Sequence, residues 1–143
     1  MKIAIGSDHA GYELKEKVKK RLEEKGYEVV DVGTDSTESV DYPIYGKAVG
    51  VKVTGGECAR GVAICGTGIG ISIACNKVRG IRAALCTTEH MAEMSRLHND
   101  ANVLCMGARE TDHELALKIL DKWLDTDFLG GKHLRRINML DEI

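Results

Sequence analysis

The stretch Gly61-Val-Ala-Ile-Cys65-Gly-Thr-Gly-Ile-Gly-Ile-Ser-Ile-Ala74 constrains the fold of this chain more than any other. It opens with an apolar run of strand length and places a thiol at its end. Three glycines at alternating positions follow (Gly66, Gly68 and Gly70), and then an apolar run of helical length. Glycines so spaced permit tight backbone angles and let N–H groups approach a ligand closely. Where a strand hands over to a helix, unsatisfied N–H groups and the helix dipole converge and suit an anion. A cysteine beside that point is placed for thiolate chemistry. Two readings stand at this stage: a base or nucleophile beside a pocket for negative charge, or a packing cysteine in a tight strand-to-helix turn.

Strand and helix signals alternate on both sides of the turn. Residues 2–6 read as a short apolar strand and residues 7–11 as a polar turn. Residues 12–25 read as a helix with Leu14, Val18 and Leu22 on one face, closed by Gly26. A second strand over 28–32 and a polar loop over 33–40 precede a helix opened by Asp41-Tyr42-Pro43, reaching about Val53 and stopped by Gly55-Gly56. The central strand and its helix end near Gly80, and residues 81–86 form a fourth strand. Thr87 or Thr88 caps the helix that carries Met91, Met94, Ser95 and Leu97. After the polar turn His98–Asn102 comes a fifth strand over 103–106. Thr111-Asp112-His113-Glu114 has capping-box form and opens a helix that buries Leu115, Ile119 and Trp123. Gly130-Gly131 lead into a last helix with Leu134, Ile137 and Leu140.

Apolar rather than alternating strands, separated by helices, predict a parallel sheet covered on both faces. The expected fold is α/β: one doubly wound, Rossmann-like domain over residues 1–143, with five parallel strands. Ligands of such sheets bind beyond the carboxyl ends of the strands. Asp8-His9, Cys65 to Gly70, Cys86-Thr87 and the loop carrying Arg109 all fall at that edge.

Several function classes are disfavoured. A net charge of −2 gives no support for nucleic-acid or anionic-membrane partners. No apolar run approaches membrane-spanning length, and Lys2 leads directly into a strand without a secretory leader. Five cysteines without a CxxC pair read as free thiols in the cytoplasm, with no metal site among them. A dinucleotide fingerprint on the central turn would need its third glycine at Ile71. Gly6 and Gly11 have phosphate-loop spacing but are followed by Tyr12-Glu13 instead of Lys-Ser/Thr.

Sugar-phosphate isomerisation fits better. It needs a base to move a proton between adjacent carbons, donors for the enediolate, and a cationic seat for the phosphate. Cys65 supplies the first, and the N–H groups of Gly66, Gly68, Ile69 and Gly70 supply the second. Lys132 and Arg136, four apart on the last helix, join Arg109 as candidates for the third, although a solvated helix face is the simpler explanation of the pair taken alone.

Gly6-Ser-Asp-His-Ala-Gly11, Asp41-Tyr-Pro43, Cys65–Ala74, Asn76-Lys77, Gly80-Ile-Arg-Ala83, His98-Asn-Asp-Ala-Asn102 and Gly130-Gly-Lys-His133, taken together and in order, resemble the ribose-5-phosphate isomerase type B family, which includes galactose-6-phosphate isomerase subunits. The resemblance spans essentially the whole chain. It implies interconversion of ribose 5-phosphate and ribulose 5-phosphate without metal or organic cofactor, in a homodimer or a dimer of dimers with a C-terminal dimerisation helix. It implies that Cys65 is the proton-transferring base, that His98 opens the furanose ring, and that Thr67 assists with its hydroxyl. Asp8 and Asn99 match contacts to substrate hydroxyls, and His9, Arg109, Lys132 and Arg136 match the phosphate seat. Lys132 stands where the family usually has Arg, so the charge remains and the bidentate fork is lost. Six-carbon substrates such as allose 6-phosphate or galactose 6-phosphate are the alternative. A non-enzymatic nucleotide-binding module, marked by micromolar nucleotide binding without turnover, is a remote one. A thiol redox protein is disfavoured because no resolving cysteine lies near Cys65 in sequence.

Overall fold

A computed structural model describes all 143 residues. The chain runs β1 (Lys2–Ser7), α1 (Tyr12–Glu24), β2 (Glu28–Asp31), α2 (Tyr42–Thr54), β3 (Arg60–Cys65), α3 (Ile69–Asn76), β4 (Ala83–Leu85), α4 (Glu89–Leu97), β5 (Val103–Gly107), α5 (His113–Asp125) and α6 (Lys132–Asp141). The strands form one sheet in the order β2-β1-β3-β5-β4, every pair parallel, as the uninterrupted apolar strands require. The order reverses between β1 and β3. The crevice outside their carboxyl ends is therefore the switch point at which such sheets bind ligands. Asp8 follows β1 there and Cys65 closes β3.

Two cores cover the two faces. Leu14, Val18 and Leu22 of α1 pack with Ala116, Ile119, Leu120 and Trp123 of α5 against Ile3, Ile5, Ile64 and Met106. On the other face Val49 of α2 and Ile71 and Cys75 of α3 pack against Ala4, Ala63 and Cys105. The helix α2 approaches α3 closely because Gly46 has no side chain, where a Cβ would stand 2.8 Å from that of Ala74, and Gly50 does the same for Val78 beyond the end of α3. No helix is long and apolar enough to cross a membrane.

Several local expectations shift. The helix α3 stops at Asn76 and β4 shrinks to three residues, because Asn76 itself ties the connection: its side-chain NH2 donates to Ala83 O (3.0 Å) and its side-chain oxygen accepts from Ala83 N–H (2.8 Å). Thr88 does cap α4, accepting the Met91 N–H at 3.0 Å. Neither Thr111 nor Glu114 completes a box at α5, whose N-cap is Asp112 without a side-chain bond. Leu115 is only half-buried, and Ala116 and Leu120 share the buried face with Ile119 and Trp123. On α6 only Ile137 is buried, while Leu134 and Leu140 are each 49% exposed. The reason is position: α6 lies on neither face of the sheet, so apart from Ile137 its apolar side chains are left largely uncovered.

Candidate active site

Cys65 ends β3 with 4% of its surface exposed, and the Gly68 N–H donates to its Sγ at 3.2 Å. That bond closes the turn, and it forms because Gly68 has φ +80°, a left-handed conformation that other residues adopt only under strain. A Cβ on Gly68 would also stand 2.8 Å from the Met106 carbonyl carbon. Gly70 and Ile71, in the first turn of α3, donate their N–H groups to nothing within the chain, as expected at a helix start. Thr67 is exposed and its Oγ1 accepts the Ile69 N–H at 3.2 Å. The Tyr42 ring lies over Gly70, where a Cβ would stand 2.6 Å from its Cζ. Tyr42 therefore both starts α2 and walls the turn.

Around this turn sit residues from two other strand ends. Asp8 is buried but does not cap α1; its Oδ1 accepts the Gly11 N–H at 3.1 Å and holds the turn after β1. His9 accepts the Val40 N–H on Nδ1 at 3.1 Å, which leaves Nε2 to carry the proton of the neutral ring. Arg109 follows β5, and its N–H donates to Gly66 O at 2.9 Å. His9, Arg109, Thr37 and His113 line a cleft of about 350 Å³ between α1 and α5.

A second group gathers elsewhere. His98 caps the carboxyl end of α4, and its ring stacks on His133 of α6 at 4.3 Å between centroids and 13° between planes. Lys132 and Arg136 are exposed on α6 beside it. Loss of solvent pushes the His133 imidazole below its usual value, and the positive charges of His98, Lys132 and Arg136 push it further down. Cationic groups crowded without a counter-charge suit an anion. The motif Gly130-Gly-Lys-His133 gives His133 no role; its contact with His98 spans 35 positions, and no local pattern signals it.

The two groups occupy opposite edges of the sheet. Cys65 pairs in register with Gly107, whereas the Gly61 N–H donates to Asn102 O at the start of β5. Four strand residues between those levels amount to about 13 Å. His98 and Asn99 lie still earlier in the chain, before that start. Within one chain the structure thus brings together Asp8, His9, Cys65, Gly66, Thr67, Gly68, Ile69, Gly70 and Arg109. It brings His98 and Asn99 together with the helix of Lys132 and Arg136, and it separates the two sets. The expected phosphate seat is split between them.

The remaining thiols serve packing. Burial pushes Cys86 up to about 11 against a smaller opposing bond from Ser95, and burial also raises Cys58. Cys105 is raised well above the usual thiol range by its hydrogen bond with Cys75 and then by burial. No three His, Cys, Asp or Glu side chains are grouped to hold a metal ion.

Residues 3–140 match the family described as Ribose/Galactose Isomerase. The chain is 49% identical over 142 residues to ribose-5-phosphate isomerase B of Escherichia coli, an alignment covering 99% of this chain and 95% of that protein. Among solved structures it resembles ribose-5-phosphate isomerase B of Clostridium thermocellum, with TM-score 0.98, 56% identity, and 99% and 96% of the two chains covered. It also resembles a ribose 5-phosphate isomerase of Thermotoga maritima, with TM-score 0.96, 54% identity, and 99% and 98% covered.

Proposed function

The chain belongs to the Ribose/Galactose Isomerase family, and on that premise we propose that it is an aldose–ketose isomerase interconverting D-ribose 5-phosphate and D-ribulose 5-phosphate in the cytoplasm. The observation that carries the chemistry is the closed turn at the end of β3. It sets a thiol sulphur and the undonated N–H groups of a helix start beside one another, at the switch point of the sheet.

In this reading the furanose opens first. His98 takes the proton of the C1 hydroxyl, the bond from C1 to the ring oxygen breaks, and the imidazolium gives that proton to the ring oxygen. The Cys65 thiolate then removes the C2 proton of the open aldose. The resulting enediolate is held by the undonated N–H groups of Gly66 and Gly70, since those of Gly68 and Ile69 are already given to Cys65 Sγ and Thr67 Oγ1, and the Thr67 hydroxyl assists. The thiol returns the proton to C1 while the proton of the O2 hydroxyl passes to O1, which leaves the ketose. Asp8 and Asn99 bind sugar hydroxyls, and Lys132 and Arg136 seat the phosphate with His9 and Arg109. No metal or organic cofactor enters these steps.

Because the required groups lie on opposite edges of one chain, the reading includes a homodimer in which each site takes Cys65 from one subunit and His98 from the other. The exposed Leu134, Met139 and Leu140 of α6 support a role for that helix in the contact. Steady-state rates on ribose 5-phosphate, allose 6-phosphate and galactose 6-phosphate test the assignment. A kcat/KM at least ten-fold higher for the pentose is expected, and a higher value for either hexose phosphate overturns the substrate.

A further inference from the structure

The sequence stretch Gly80–Ala83 has no part in the steps above, yet one of its side chains holds three backbone and side-chain groups at once. Arg82 donates from Nε to Asn99 O at 3.1 Å and from Nη2 to Asp100 O at 3.1 Å. Its Nη1 grips both carboxylate oxygens of Asp141, the last residue of α6, at 2.8 and 3.0 Å. Arg96 works on the same turn from beneath. Its Nη1 donates to Asp100 Oδ1 at 2.8 Å and to Ala101 O at 2.7 Å, and its Nε donates to Thr126 O at 3.2 Å. Between the two guanidinium groups Asp100 stands at φ +44°, a left-handed conformation that costs a non-glycine residue about 1–2 kcal/mol and needs such support.

We propose that Arg82, backed by Arg96, is a positioning residue: it locks the His98-Asn99 turn to α6, so that the ring-opening group and the phosphate-holding helix present themselves as one rigid unit. Little else attaches α6. That helix buries only Ile137. Its first turn meets the rest of the chain through the His98–His133 stack, and its last turn through Arg82 and Asp141. Eight residues of rise along the helix separate those two ties by about 12 Å, so the pair fixes both the place and the direction of the helix. A planar guanidinium is needed because a lysine has no fork with which to hold a carboxylate on one side and two carbonyls on the other. A slip of about 1 Å between a catalytic group and its substrate costs on the order of 100-fold in rate.

This inference rests on the ring-opening role proposed for His98, and the two separate cleanly by experiment. Ribulose 5-phosphate has its 5-hydroxyl esterified and cannot close a furanose ring. Exchange of its C1 proton with solvent deuterium therefore reports enolisation at Cys65 alone, whereas turnover of ribose 5-phosphate needs ring opening as well. Both rates are measured at saturating substrate on the full chain, for wild type, Arg82→Lys, Asp141→Asn and His98→Ala, together with Tm. The ratio of turnover to exchange is expected to fall ~10-fold or more in Arg82→Lys, several-fold in Asp141→Asn, and in His98→Ala. A merely structural role would lower both rates together. If His98→Ala lowers the ratio while Arg82→Lys and Asp141→Asn keep the wild-type value, the positioning role is overturned. If His98→Ala itself leaves the ratio unchanged, the ring-opening assignment fails instead. The lock then stands if Arg82→Lys reproduces the His98→Ala loss of turnover with unchanged Tm, and falls if it does not.

Discussion

Cys65 is held by a backbone N–H on its sulphur and by a glycine whose angles no other residue adopts without strain. In the proposed mechanism the sulphur carries the proton between C2 and C1, so Cys65→Ala is expected to lower kcat by ~10²–10⁴-fold while substrate binding persists. Iodoacetamide should inactivate the protein, and inorganic phosphate should slow that inactivation; a Cys65→Ala variant with near-native turnover would remove the assignment. Gly68→Ala acts on the same bond from the other side. The left-handed angle costs about 1–2 kcal/mol, and the added methyl group meets the backbone of Met106 and Gly107. A lower Tm together with lost activity is expected from thermal melts and rates on the same sample. Residues of this kind were legible in the sequence because spacing within ten positions encodes them. Tyr42 over Gly70 and His133 on His98 were not legible as contacts, since each joins elements that only the finished fold brings together.

At the scale of elements the alternation of strands and helices carried the parallel sheet, because buried parallel strands and amphipathic helices leave different periods in the chain. Element ends were less legible where a side chain from elsewhere decides them: Asn76 trims both α3 and β4, and α5 begins at His113 after Asp112, without the reciprocal capping its sequence suggests. The helix α6 shows the limit of the apolar pattern, since Leu134 and Leu140 mark a face that the chain leaves half exposed. In the proposed site that helix holds the phosphate in ground and transition states alike, so Arg136→Ala should raise KM with little change in kcat. Lost kcat at unchanged KM would place its role elsewhere. The pairing of α1 with β2 predicts an acid response. Burial alone pushes the Asp31 carboxyl up, but the hydrogen bonds from Lys15 and the Gly33 N–H and the nearby lysine charges outweigh it and hold Asp31 below its usual value. A lowered native value means stability that is present above the unfolded-state pKa of about 3.9 and lost as pH falls through the native one. The Lys15 side chain is fully buried, so Asp31→Asn leaves it with a weaker partner and is expected to cost about 3 kcal/mol at pH 7. The Tm gap between wild type and variant should close as the pH drops below about 3.9; a gap independent of pH would show that the charge pair is not its source.

At the scale of the molecule the sheet itself is the reason one chain does not complete the proposed site. Parallel strands send the Cys65 turn to one edge and the His98 turn to the other, at least about 13 Å of strand apart. Proton transfer requires groups within about 3 Å of the atoms they serve. A two-fold axis that sets the carboxyl edge of one subunit against the amino edge and α6 of the next repairs the separation, and by symmetry repairs it twice. In the proposed dimer the basic cluster of His98, His133, Lys132 and Arg136 faces the undonated N–H groups of the partner's glycine turn across one bound substrate, with the phosphate lowering the cost of bringing the positive charges together. The consequence is testable by complementation. Cys65→Ala and His98→Ala proteins, each inactive alone, are unfolded, mixed and refolded together. Random pairing gives heterodimers in about half of the molecules, and each heterodimer carries one site with both residues intact and one with neither. Activity should therefore return to about a quarter of the wild-type value per chain. A mixture that stays inactive, although mass spectrometry shows heterodimers present, would mean that both residues serve a single chain's site and that the subunits do not share it.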